Sequence, residues 1–183
     1  KGGIPAVILR IAGVYTDDCN SIPIAQQISR IYEKKFDSFF FPGDSSHGQP
    51  FVHLDDLVDC IALVIAQRAT FKDDLFLIAE PQLMSYEEMQ EDLGTLLHGK
   101  EWPAIRVPKT AAKVGAWVEG KLPGNEGAFI KPWMIDLADA HYPVAINHAR
   151  HRLNWQPKHS LKETLALMVS ALKQDPEGWY KRN

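Results

Sequence analysis

Pro5-Ala6-Val7-Ile8-Leu9-Arg10-Ile11-Ala12-Gly13-Val14-Tyr15 is the stretch that decides the fold. It is nearly continuous in apolar and β-branched residues. A strand covered on both faces, as in a parallel sheet, has this composition. Ser21 is then placed to cap a helix with Pro23 in its first turn, running to about Lys35. Phe39 to Phe41 reads as a short strand stopped by Pro42-Gly43-Asp44, and Pro50 to His53 as another. Asp55 or Asp56 is placed to cap the clearest helix, where Leu54, Leu57, Val58, Ile61 and Ile65 recur at helical spacing to near Ala69. Leu75 to Ala79 is a further strand. Strands alternating with helices specify α/β packing.

The second half reads as mainly helical. Ser85-Tyr86-Glu87-Glu88 is a capping box, opening a helix that ends near Gly99. Ala104 to Val107 suits a short strand, and Lys109–Glu119 and Ala128–Ala140 suit helices, with Gly120 ending the first and Pro132 kinking the second. Asn147 is placed to cap a short helix to Leu153, with Trp155-Gln156-Pro157 as its stop. A second capping box, Ser160-Leu161-Lys162-Glu163, opens a helix with Leu161, Leu165, Met168, Val169 and Leu172 on one face. The tail after Asp175 reads as polar and loose. Two regions follow: residues 1–80 as sheet strands and helices, and residues 81–183 as a smaller cap.

Charge and composition narrow the function. Twenty Lys and Arg against 23 Asp and Glu leave a net charge of -3, so no basic excess exists for a nucleic-acid backbone. No apolar run is long enough to span a bilayer. Cys19 and Cys60 are too few for a disulfide framework and suit a reducing, cytoplasmic setting as small buried hydrophobes. The chain opens on Lys1 without a Met, and its first strand starts within a few residues. It reads as a piece cut from a longer protein.

Three segments resemble the extended short-chain dehydrogenases, the NAD-dependent epimerase/dehydratase branch. Pro5 to Tyr15 resembles the family strand that ends beside the nicotinamide ring, with Thr16 and Asp17 where the family has Gly-Pro. Phe51-Val52-His53-Leu54-Asp55-Asp56 is similar to the family's aromatic-Val-His-x-Asp-Asp, and Leu153-Asn154-Trp155-Gln156-Pro157 to its Leu-Gly-Trp-x-Pro. The resemblance implies the edge of a Rossmann-type parallel sheet plus a smaller, mainly helical substrate domain. It implies NAD or NADP in the parent protein, with weak or no binding by this piece, and a small-molecule substrate. Ile11, Ala12, Gly13 and Val14 would line the cofactor. Tyr15, Gln49, Phe51 and His53 would meet substrate.

The departures are as informative. The chain has neither the family's glycine-rich turn after a first strand nor its Tyr-x-x-x-Lys, so no catalytic residue is assigned. Gln49 stands where nucleotide-sugar enzymes have a diphosphate-pairing Arg, Pro50 where they have Asp, and Gly13 where they have a substrate-binding Asn. A smaller or less charged substrate is expected, unless Lys34, Lys35 or Arg106 compensates. Asp55 and Asp56 are expected to cap a helix, and His53 either to meet substrate or to bond backbone near that helix. His148 and His151, i and i+3 with His141 upstream, are read as a solvated face, and no metal site is expected. Trp102, Trp117, Trp133 and Trp155 are read mostly as packing residues. A non-catalytic scaffolding domain of the same fold is the alternative function. The first strand's unpaired edge is expected to drive self-association.

Overall fold

The computed structural model describes residues 6–113 and 132–183. The long apolar run divides at Ala12. Strand β1 (Ala6–Ile11) pairs in parallel with β5 (Asp73–Ile78), with Ile8 opposite Leu75 and Ile11 opposite Ile78. Strand β2 (Gly13–Tyr15) pairs instead with β4 (Phe51–His53), also in parallel. Helix α1 (Ile22–Tyr32) follows the Ser21 turn, and α2 (Leu54–Ala66) follows β4 directly. Strand β3 (Phe40–Pro42) pairs in parallel with β6 (Ile105–Val107). Helices α3 (Tyr86–His98), α4 (Pro132–Leu137), α5 (Asn147–Leu153), α6 (Leu161–Gln174) and α7 (Pro176–Arg182) complete the described elements. The class is α/β, with short parallel pairs. No helix among the described residues is long and apolar enough to cross a membrane.

Contacts divide the chain into two units. The first holds residues up to Gln26, Pro50–Leu83 and Pro143–Asn183; the second holds Gln27–Gln49 and Met84–Tyr142. This division does not follow the sequence boundary near residue 80. The C-terminal segment returns to the first unit because buried carboxylates on α2 and after β5 receive its backbone.

The core of the first unit joins Val52, Leu57, Cys60, Phe76, Ile78, Leu153 and Trp155, with Val7 and Leu9 packed against it. Val7 and Leu9 thus face inward, while the alternate residue Ile8 is 54% exposed and Leu75 opposite it 38%. Among the described residues β1 pairs with β5 alone, so its other edge is open. Helix α2 repeats the pattern. Leu57 and Cys60 are buried, but Leu54, Val58, Ile61 and Ile65 lie exposed. Most of the stripe whose spacing announces this helix therefore faces outward rather than into the core.

The second unit is built around aromatic contacts. Phe41 stacks on Tyr86 and Phe39 on Trp102. Gly94 is required there: a Cβ would sit 2.5 Å from that of Trp102. Trp102 Nε1 donates to Ser38 Oγ, and Gln90 Nε2 donates to the carbonyls of Ser38 and Pro103.

Several expectations are corrected. The tail after Asp175 is helix α7, capped by the Asp175 side chain on the Gly178 amide and anchored by buried Trp179. The cap of α2 is neither Asp55 nor Asp56 but His53, whose Nδ1 accepts from the Asp55 amide. Ser85 and Glu88 do form the capping box, and α3 ends at Gly99 in left-handed backbone, φ 69°. Cys19 and Cys60 are unpaired and buried, and burial pushes both thiols up to about 11. Residues 109–113 are helical. The rest of the expected 109–119 helix, Gly120, Trp117 and residues 128–131 lie outside the described residues, as does the side chain of Trp133.

Candidate functional site

Parallel pairing of β2 with β4 brings most of the expected site residues side by side. Gly13 stands opposite Phe51, Val14 opposite Val52, and Tyr15 opposite His53. The Gly13 amide donates to the Pro50 carbonyl and the Ala12 amide to the Ile78 carbonyl, both within normal range. Gly13 has a steric reason to lack a side chain. A Cβ there would lie 2.7 Å from the Phe51 ring, so that ring fills the space a side chain at position 13 would need. Ile11 is exposed at the carboxyl end of β1 and Gly13 at the start of β2, while Ala12 and Val14 are half-buried. Gln49 is exposed and belongs to the second unit.

Behind this surface lies a buried polar cluster. Tyr15 is fully buried, and its hydroxyl donates to Glu80 Oε1 at 2.6 Å. Glu80 Oε2 accepts from the Leu161 amide at 2.9 Å, the first residue of α6. Asp56 is turned away from its own helix: Oδ1 accepts from the Lys158 amide at 2.9 Å and Oδ2 from the His159 amide at 3.0 Å. The Asp56 carbonyl accepts from Trp155 Nε1. Two buried carboxylates thus hold the chain where it enters α6. His53 sits between Tyr15, 5.2 Å away in an edge contact, and His159, stacked at 4.1 Å. Its Nε2 lies 3.3 Å from Asp17 Oδ1.

Neither Glu80 nor the distant target of Asp56 was marked in sequence, because both act on residues far along the chain. The only local sign is polarity: Glu80 ends an otherwise apolar strand segment.

Burial pushes the Glu80 carboxyl above the usual glutamate range, although the bonds from Tyr15 and Leu161 pull it down. The folded state then holds its proton more tightly than the unfolded chain. This contribution to stability is present in acid and is lost as pH rises from the ordinary glutamate value through the raised one. Glu80→Gln keeps an acceptor for the Leu161 amide and cannot ionise. Its stability relative to the parent is expected to improve as pH rises above the ordinary glutamate value of about 4, measured by urea unfolding at each pH. A constant difference across that rise would count against this account.

In the second unit the cations on and just after β6 are already occupied. Arg106 Nε donates to Ser45 Oγ, its NH1 lies 3.0 Å from Asp44 and its NH2 3.3 Å from Glu87. Lys109 is paired with Asp139. Asp44 also accepts from the hydroxyl and amide of Ser46, the main cause holding its carboxyl below the usual range. His47 Nδ1 meets the Asp139 carbonyl at 2.6 Å, and His141 Nδ1 lies 3.4 Å from the Gly48 amide. Arg106 is therefore spent on carboxylates rather than presented to a phosphate. His148, in the first unit, stacks on Phe76 and lies 3.4 Å from Asp74.

Solved structures share the fold of this chain. The UDP-glucose 4-epimerase of Thermotoga maritima, solved with UDP-glucose, is similar with a TM-score of 0.60 and 18% identity over 93% of this chain and 47% of that one. An epimerase of Methanothermobacter thermautotrophicus gives 0.66 and 15% over 97% and 46%. The dTDP-glucose 4,6-dehydratase of Bacillus anthracis, solved with NAD, gives 0.65 and 16% over 97% and 47%. The chain has their fold over about half their length. At these identities the likeness is one of fold alone. No protein-family model matches the sequence, and no curated protein matches it.

The residues present fit one end of a dinucleotide. Ile11 exposes an apolar side chain at the carboxyl end of β1, where ligands of open α/β sheets lie, and Gly13, two residues on, is exposed without one. Among the described residues no glycine-rich strand-to-helix turn is available to hold a pyrophosphate.

Proposed function

We propose that this chain is the substrate-domain half of an NAD- or NADP-dependent enzyme of the epimerase/dehydratase kind, acting on a sugar-like or small carbonyl or alcohol substrate. The observation that carries this reading is the unfinished parallel sheet. Strand β1 has apolar side chains toward both faces, yet among the described residues one face and one edge stand open, and the exposed stripe of α2 is equally apolar. Parallel strands are normally covered on both faces. The chain spans about half the length of the matched structures, which leaves room for such cover in a longer polypeptide.

In this reading the bound cofactor supplies hydride transfer. Ile11 to Val14 give one wall for its nicotinamide end. Phe51, seated over Gly13, puts an aromatic ring where a polar side chain would otherwise reach a sugar hydroxyl. With Gln49 uncharged and Arg106 occupied by Asp44 and Glu87, a substrate less anionic than a nucleotide sugar is favoured. The open β1 edge also favours pairing with a second copy when nothing else covers it.

The test compares two polypeptides in a calorimeter with NAD and NADP. The 183-residue chain is expected to give no measurable binding heat. A version extended by the residues encoded ahead of Lys1 is expected to bind one of the two dinucleotides. Tight binding by the 183-residue chain would overturn the assignment, as would an extension that neither supplies a glycine-rich turn nor restores binding.

A further inference from the structure

We propose that His53, Asp55 and His159 form a site for a divalent cation of the zinc class, independently of the enzymatic reading above. Each of the three offers a ligand atom, and these atoms all lie within 4.8 Å of one another. The chemistry of the set, two imidazoles and one carboxylate, suits zinc, cobalt or nickel better than magnesium or calcium, which take oxygen ligands.

The tautomer of His53 is already the one a metal needs. Its Nδ1 accepts from the Asp55 amide at 3.2 Å, so that nitrogen carries a lone pair and the proton sits on Nε2. Asp55 Oδ2 is 3.9 Å from the same Nδ1. The protonated Nε2 is buried, makes no hydrogen bond of good geometry, and lies 3.3 Å from Asp17 Oδ1. A metal-bound histidine usually gives its other ring nitrogen to a carboxylate, which fixes the tautomer and strengthens the ligand. Asp17 is placed for that role. His159 repeats the arrangement, with its Nδ1 buried, without a hydrogen bond, and 3.2 Å from Asp56 Oδ2. Each imidazole therefore faces a carboxylate through one nitrogen and has the other for a ligand.

One movement is required. The two rings stack at 24°, so their lone pairs run side by side instead of converging. His53 is held in the core with a 3% exposed side chain, but that of His159 is 37% exposed and that of Asp55 74%. His53 is then the fixed ligand, and the other two swing in as arms. Three protein ligands leave a fourth position for water. Metal would displace the 3.2 Å amide bond at Nδ1, a long one and cheaply lost.

The test uses the untagged 183-residue chain, stripped with chelator and titrated with cobalt chloride while its visible spectrum is followed. One equivalent is expected to produce the intense bands of four-coordinate cobalt. His159→Ala and Asp55→Ala, both at exposed side chains, are each expected to weaken binding about 100-fold, and Asp17→Asn about 10-fold. His148→Ala and His151→Ala should change nothing. Circular dichroism confirms that the variants fold. A spectrum that never develops overturns the proposal, and so does one that survives both His159→Ala and Asp55→Ala.

Discussion

Trp155→Ala is expected to destabilise the first unit by about 4 kcal/mol, the cost typical of emptying a fully buried tryptophan site. The indole is 2% exposed and packs in the cluster that joins β4, α2, β5 and α5. Its Nε1 also donates to the Asp56 carbonyl at 2.9 Å. Substitution removes both the apolar volume and that bond. Domains are stable by only about 5–15 kcal/mol in total, so the variant should unfold at much lower urea. Trp155→Phe keeps most of the ring and loses the bond, and should cost about 1–2 kcal/mol. Urea unfolding followed by far-ultraviolet circular dichroism reads both. Equal losses for Ala and Phe would show that the hydrogen bond, not the packing, dominates.

Asp56→Ala is expected to cost about 3 kcal/mol. The carboxylate is 1% exposed and accepts two backbone amides, from Lys158 and His159, in the turn before α6. Charge-assisted bonds of this kind are worth about 1.5–3 kcal/mol each before re-solvation of the freed groups is counted. Both freed amides are partly buried, so water recovers part of the loss. Asp56→Asn offers one acceptor and one NH2, which then faces an amide donor, and should fall between the parent and Asp56→Ala. Asp55→Ala, one residue earlier and exposed, should change stability by less than about 0.5 kcal/mol, since His53 supplies the cap. Trp155 and Asp56 hold the same junction, so the double substitution should cost less than the sum of the singles. A loss at Asp55 equal to that at Asp56 would contradict the assignment of caps.

These residues also show what a sequence discloses. The apolar run through Ile8 and Leu9 announces a parallel-sheet strand because both faces are apolar, whatever covers them. The capping box at Ser85 and the cap at Ser160, where of the two backbone bonds of a box only that from the Glu163 amide forms, are legible because their bonds close within three residues. Asp56 reads as a cap because a carboxylate in a first helical turn usually serves its own helix, and nothing local says that its partners are Lys158 and His159. Glu80 was missed for the same reason. The stripe of Leu54, Val58, Ile61 and Ile65 was legible as a helix face but not as an outward one, since periodicity reports that a face is apolar and not what lies against it. The tail helix was missed because Trp179 is its single buried anchor in an otherwise polar segment. For the expected site, Gly13, Tyr15, Phe51 and His53 do come together, yet the contact of Phe51 with Gly13 depends on a strand pairing that spacing alone does not specify.

Among the described residues β1 is a sheet strand paired on one side only. Its amides alternate between the two edges. Ala6 and Ala12 donate toward the β5 side, so Ile8 and Arg10 share that direction while Val7, Leu9 and Ile11 point to the open edge. Amide hydrogen exchange across a dilution series measures this directly. The expected result is rapid exchange at Val7, Leu9 and Ile11 in dilute protein, slowing as concentration rises and a second copy covers the edge, with Ile8 and Arg10 slow throughout. Slow exchange at all five positions at every concentration would mean that the chain already covers its own edge, and the reading of an unfinished sheet would be wrong.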